Sequence, residues 1–323
     1  MLAIVQHDHG GPEVLVPREV PDPEPGPDRV RIRVEAAGVH LVDTTLRAGD
    51  DRGPFPAPAL PIVPGREVAG IVDAIGPGVD PGLLGARVSS HLGPGGSGGY
   101  AAVAVAAAGD LHRLPAGVDA AAAVAVLGTG RMTEGLLELA RPRAGETALV
   151  TSAAGGIGTL LVQALAADGV TVLAAAGSGR LNGPLPDGVV PLAYDRPGWA
   201  DAARGHTGDR GVDLVFDGVG GDAGRGAFEL LAPGGRVLLH GWSAGAPTPF
   251  RADELWERAL TVTVALGPPV LALGLRRLEE RALARLADGR WSPVVSRYRL
   301  ADAARAHADL EARRTRGKVV LVP

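Results

Sequence analysis

The sequence predicts an α/β protein in two parts, a β-rich domain and a doubly wound parallel-sheet domain, and three observations carry the prediction. Residues 148–169 read ALVTSAAGGIGTLLVQALAADG: an apolar run, a turn with Gly155, Gly156 and Gly158, then an apolar stretch without charge or proline until Asp168. That is the pattern of a buried strand, a glycine turn and a helix. Beyond it, short apolar runs recur between helix-like segments, which implies parallel strands joined by right-handed crossovers. Before residue 119 the chain instead alternates short apolar runs with turn residues, the signature of a β-rich half.

Taken in order, residues 2–6 and the period-two run VRIRV at 30–34 read as strands, and the proline-rich stretch 20–27 fits only an extended loop. Further strands are expected at 69–75, 86–90 and 100–105. Residues 120–127 and 133–140 have helical composition, with glycines between them. After the central stretch, strands are expected at 170–174, 189–193, 212–216, 236–240 and 260–266, and a helix at 271–287. The last part, 294–323, reads strand, helix, strand and is expected to rejoin the β-rich domain. The boundaries that follow are 1–116 with 268–323 for the β-rich domain and 117–267 for the doubly wound one.

Composition bounds the function. A chain of 323 residues is long for one core, and 46% apolar residues argue against disorder despite 48 glycines. Without cysteine there are no disulfides and no thiolate-held zinc, and the N-terminal residues carry no secretory signal pattern, so a cytoplasmic protein is expected. The longest apolar stretches are too short to span a bilayer, which predicts a soluble protein. Net charge is −4, and the arginine clusters at 276–285 and 313–316 are interleaved with acids or adjoin them, as on a solvated helix face, so no nucleic-acid partner is expected. Lys318 is the only lysine.

The ordered motifs EAAGVHLVDTTLRAG (35–49), VPGREVAGIVDAIGPGV (63–79), GGYAAV (98–103), TSAAGGIG, DGVGG (217–221), LAPGGRVLLHGWSAG (231–245) and RGKVVL (316–321) resemble the medium-chain dehydrogenase/reductase superfamily. The resemblance is closest to its zinc-independent quinone oxidoreductase branch and covers essentially the whole chain. It implies a GroES-like β domain built from both chain ends, an inserted Rossmann domain, and an active site in the cleft between them. It also implies that the edge strand at 260–266 joins two Rossmann sheets, so a homodimer is expected.

The glycine turn suits a dinucleotide, because the backbone can approach the pyrophosphate and the first N–H groups of the helix face the anion. Ala154, Gly155, Gly156, Ile157 and, in DGVGG, Val219 are the candidate contacts. A carboxylate about 20 residues beyond such a turn would select NAD, whereas arginine accommodates a 2′-phosphate. Here the second strand runs into Gly177-Ser178-Gly179-Arg180, with no carboxylate, which favours NADPH. By resemblance, Gly177, Arg180 and Tyr194 clamp that phosphate, Thr133 lies at the start of the helix below the nicotinamide, and His240, Gly241 and Ser243 pass along it. Arg313 matches a basic position that reaches cofactor phosphates, or else simply favours a helix end.

Zinc-dependent relatives carry a histidine just before the glutamate of the GxE motif, where this chain has Arg66 before Glu67, and a cysteine near Val39 or His40. With no such ligand set, the acceptors expected are those that delocalise charge themselves, quinones and α,β-unsaturated carbonyls. The catalytic candidates are His40, as proton or hydrogen-bond donor or as a packed structural residue, Thr45, where relatives often carry tyrosine, and Arg66, orienting a carbonyl or pairing with Glu67 or Asp43. Two other readings share the sequence: an enoyl-thioester reductase of a biosynthetic pathway, and a non-catalytic NADPH-binding protein.

Overall fold

The period-two run at 30–34 lies inside an 11-residue strand around which the first domain is arranged. The computed structural model describes residues 1–50, 56–93, 97–208 and 210–323. Parts of two loops expected to line the substrate site, 50–61 and 93–99, lie outside these. The chain divides into two units, Met1–Thr129 with Ala282–Pro323, and Gly130–Arg281.

The first unit begins with β1 (Leu2–Gln6) and β2 (Leu15–Glu19), an antiparallel pair. There follow β3 (Arg29–Val39), α1 (Leu41–Ala48), β4 (Glu67–Ile75), β5 (Arg87–His91), β6 (Val103–Ala107), β7 (Leu111–Arg113) and α2 (Ala120–Ala140), which passes into the second unit after Thr129. β3 pairs with β4 on one side and on the other with β6 through residues 29–33. Alternation along it buries Val30, Ile32 and Val34 against Ile4, Val72, Val88 and Tyr100.

The second unit carries β8 (Thr147–Val150), α3 (Gly156–Ala167), β9 (Thr171–Ala176), β10 (Val190–Ala193), α4 (Trp199–Gly205), β11 (Val212–Asp217), α5 (Gly221–Glu229) and β12 (Leu231–Leu239). It closes with α6 (Ala252–Arg258), β13 (Thr261–Val264), α7 (Pro268–Leu271) and α8 (Leu275–Ala287), the last crossing the division. Its sheet runs β10-β9-β8-β11-β12-β13 with every pair parallel. The order reverses between β8 and β11, the doubly wound arrangement in which ligands sit beyond the carboxyl ends of the strands. Finally β14 (Val295–Arg299), α9 (Ala303–Glu311) and β15 (Lys318–Val322) return to the first unit, where β15 pairs with residues 37–39 of β3. The expected GroES-like and Rossmann α/β architecture is the one observed.

Two helices differ from expectation. The two stretches expected as separate helical runs, 120–127 and 133–140, form the single helix α2, because Val124, Leu127 and Leu136 bury its length and offset the cost of Gly128 and Gly130. Thr133 is therefore mid-helix and fully buried, not at a helix start. The helix expected at 271–287 is broken, since Pro268 opens a short helix of its own that ends at a left-handed Gly274.

Candidate functional site

In the second unit the carboxyl ends of five neighbouring strands carry the cofactor-binding candidates other than Thr133, which lies within α2, and Arg313, which lies in the first unit. Between β8 and α3 the turn places Gly155 as the helix N-cap with no side-chain cap, so the first N–H groups of α3 are left for a ligand. Gly158 is fixed by close approach: a Cβ there would lie 2.2 Å from the carbonyl oxygen of Ser152. Ala154 is buried behind Gly155, Gly156 and Ile157.

Sequence reasoning passed over the acid that shapes the next two loops. Asp217, fully buried at the end of β11, accepts from Thr151 Oγ1 at 2.7 Å, from the backbone N–H of Val219 at 2.9 Å and from that of Gly220 at 3.2 Å; its other oxygen accepts from Thr248 Oγ1. A buried carboxylate with this many donors is satisfied, and it fixes the DGVGG loop beside the glycine turn. The same loop holds the segment after β12: His240 N–H donates to Asp217 O, Ser243 N–H to Gly218 O and Ala244 N–H to Val219 O. The signal was the aspartate opening DGVGG, read only as part of a motif.

The His240 ring lies against Gly218, whose missing side chain makes the room. Burial lowers its pKa to about 4, so it is neutral at pH 7, and among the described residues its shielded Nε2 has no hydrogen-bond partner. An uncapped helix start behind glycines and an orphaned imidazole nitrogen at the same sheet edge fit a bound dinucleotide. Gly177, Ser178 and Arg180 follow β9, Tyr194 follows β10, and Ala176 and Ala193 are in register, so these two loops meet.

In the first unit the centre is Glu67, fully buried at the start of β4. One carboxylate oxygen contacts His40 Nε2 at 2.7 Å and Lys318 Nζ at 2.6 Å, and the other lies 3.7 Å from His91 Nε2. Burial alone would raise its pKa, but the basic groups around it hold the carboxyl well below the usual range. Removing one partner of such a set strands the other as a buried charge, at a cost of about 3–5 kcal/mol. Among the described residues no group of three His, Cys, Asp or Glu is placed to hold a metal ion. Lys318 was noted as the only lysine, but neither it nor His91 was read as a partner of Glu67.

His40 caps α1, its backbone N–H donating to Asp43 at 2.8 Å. Arg66 Nε lies 3.2 Å from the other oxygen of Asp43, the structural pairing weighed from sequence. Thr45 Oγ1 donates to Val42 O at 2.8 Å within α1, which leaves only its lone pairs for anything else. Asp43 also takes the Tyr100 hydroxyl at 3.1 Å. Arg313 follows α9 in a left-handed conformation (φ 58°), in this unit rather than with the glycine turn.

Residues 26–116 match the alcohol dehydrogenase GroES-like domain and 187–321 the zinc-binding dehydrogenase family. The chain is 34% identical to a quinone oxidoreductase of Pseudomonas aeruginosa, over 98% of this chain and 97% of that one. It is 30% identical to a 2-haloacrylate reductase of a Burkholderia species, over 100% and 99%. The solved structure of Escherichia coli quinone oxidoreductase complexed with NADPH superposes with a TM-score of 0.87 at 29% identity, covering all of both chains.

Proposed function

This chain belongs to the medium-chain dehydrogenase/reductase superfamily, in its quinone oxidoreductase branch, and we propose that it is an NADPH-dependent reductase of quinones or α,β-unsaturated carbonyls that works without zinc. The observation that carries the reading is the carboxyl edge of the parallel sheet, where the uncapped start of α3, the Asp217-held loop and the orphaned His240 nitrogen converge. Ala154, Gly155, Gly156 and Ile157 take the pyrophosphate, Gly177, Ser178, Arg180 and Tyr194 the 2′-phosphate, and Thr133, Val219, His240, Gly241 and Ser243 the nicotinamide end. Arg313 is proposed as a further phosphate contact. When bound, the reduced nicotinamide supplies a hydride. The two reductases named among the relatives, one of quinones and one of 2-haloacrylates, act on conjugated acceptors and support the same substrate class here.

His40 is the proposed proton donor. As the imidazolium, with Nε2 against Glu67, His40 gives the proton on Nδ1 to the reduced acceptor and is left as a neutral ring beside Glu67 and Lys318. Arg66, anchored by Asp43, is proposed to orient the acceptor oxygen, and Thr45 to accept a hydrogen bond. The active unit is proposed to be a homodimer formed through β13.

The test is a turnover screen of NADPH and NADH against quinones, enals, enones, enoyl thioesters and simple alcohols. Steady NADPH oxidation with a quinone or enone is expected, slowed about 10²-fold or more in His40→Ala if His40 supplies the proton. Nucleotide binding without turnover, or efficient oxidation of a simple alcohol, overturns the reading. Turnover confined to enoyl thioesters replaces it with the biosynthetic alternative.

A further inference from the structure

The loops after β9 and β10 hold a hydrogen-bonded carboxylate that the sequence did not reveal. Asp195, exposed and directly after Tyr194, places both carboxylate oxygens 2.9 Å from the backbone nitrogen of Ser178, and accepts from Ser178 Oγ at 2.6 Å. Arg196 Nε donates to the same Ser178 Oγ at 2.7 Å. A Cβ added at Gly177 would lie 3.6 Å from Arg180 Cδ and 3.7 Å from Asp195 Oδ2, so arginine and acid converge over that glycine. The bonds from Ser178 hold the Asp195 carboxyl below its ordinary range, so it is an anion at neutral pH.

The arrangement matters because of where it stands. The end of the second strand of a doubly wound sheet is where the adenine ribose arrives, and its 2′ substituent meets the residues just beyond. A 2′-phosphate there needs N–H and O–H donors and a guanidinium. Ser178 supplies both kinds of donor, Arg180 and Arg196 supply the cations, and Asp195 already lies on the Ser178 pair as an anion of the chain's own.

Resting on the dinucleotide reading given above, we propose that Asp195 is the specificity-determining residue of this site: it occupies the donors of Ser178 in place of the 2′-phosphate and must swing out for NADPH to bind. The wild-type preference for NADPH over NADH is accordingly smaller than the two arginines and the serine alone would give. Moving aside costs an exposed side chain little in packing, so the penalty is the loss of its bonds to Ser178 and its repulsion of a second anion.

The test is calorimetric binding of adenosine 2′,5′-bisphosphate and of 5′-AMP to the full-length protein, as wild type, Asp195→Ala, and Asp195→Ala with Ser178→Ala. Asp195→Ala is expected to tighten the 2′,5′-bisphosphate about tenfold and to leave 5′-AMP within about twofold. The added Ser178→Ala is expected to remove that gain. Unchanged or weaker binding of the 2′,5′-bisphosphate by Asp195→Ala overturns the proposal and leaves the dinucleotide reading standing. A loss of 5′-AMP affinity alone also overturns it, because Asp195 would then be accepting from the ribose hydroxyl. Should none of the three proteins bind either nucleotide, the dinucleotide reading and this proposal fall together.

Discussion

A single set of proton positions satisfies the buried chain around Tyr100. Arg47 has only donors, so at 3.4 Å its guanidinium gives a hydrogen to His307 Nδ1; His307 Nε2–H then gives one to Tyr100 at 3.1 Å, and the hydroxyl gives its own to Asp43. The order requires a neutral imidazole, and burial, outweighing the nearby acids, lowers the His307 pKa to about 4 from 6.5. Between those two values the unfolded chain binds a proton that the folded chain refuses, so stability rises with pH across that window and is level above it for this group. Descending through the window is expected to cost about 3 kcal/mol. Urea unfolding measured at pH values spanning the window checks this: His307→Gln should flatten the dependence by about one proton, with His240 accounting for part of what remains. Parallel curves for variant and wild type would assign the pH sensitivity elsewhere.

At the scale of elements, periodicity and glycine placement were readable because they act locally. The apolar run, the glycines and the uncharged helix around residue 156 gave strand, turn and helix within a few residues of where β8 and α3 lie. What was not readable is what joins distant elements. Glu67 meets Lys318, and Asp217 meets Thr151 and Thr248, through pairings that no local pattern encodes. α2 shows the same limit from the other side: local propensity argued for a break at Gly128 and Gly130, but a Cβ at Gly128 would sit 2.6 Å from Glu67 Oε2, so that glycine serves a neighbouring strand rather than a turn. Gly158 permits a sharper test. With backbone of Ser152 and Ala153 at 2.2 and 2.7 Å from its missing Cβ, Gly158→Ala has no flexible neighbour to displace and should cost about 1–3 kcal/mol while weakening nucleotide binding. Gly205→Ala, at the end of α4 with nothing within 4 Å, should be neutral or stabilise by up to about 1 kcal/mol. Thermal melts and nucleotide titrations of the two variants side by side distinguish steric necessity from the general cost of replacing glycine.

For the whole molecule, the question left by a parallel sheet is what becomes of its two edges. β10 carries Pro191, exposed in a four-residue strand, and proline lacks the N–H that a new ladder would need. β13 reads TVTV without proline, pairs among the described residues only with β12, and leaves Val264 57% exposed. An apolar, unblocked edge favours pairing with a second copy, and a two-fold axis across it would run two six-stranded sheets into one. The chain mass is 32.8 kDa, so sedimentation equilibrium is expected to return twice that value. Lysines at both Val262 and Val264 should shift the equilibrium towards the single-chain mass, because two charges on one short edge meet their symmetry mates in the paired arrangement. The glycine turn after β8 is untouched by these changes, so the dissociated variant is expected to bind 2′,5′-bisphosphate within about twofold of wild type. A wild type that sediments as a single chain, or a lysine variant that remains paired, would move the interface away from β13.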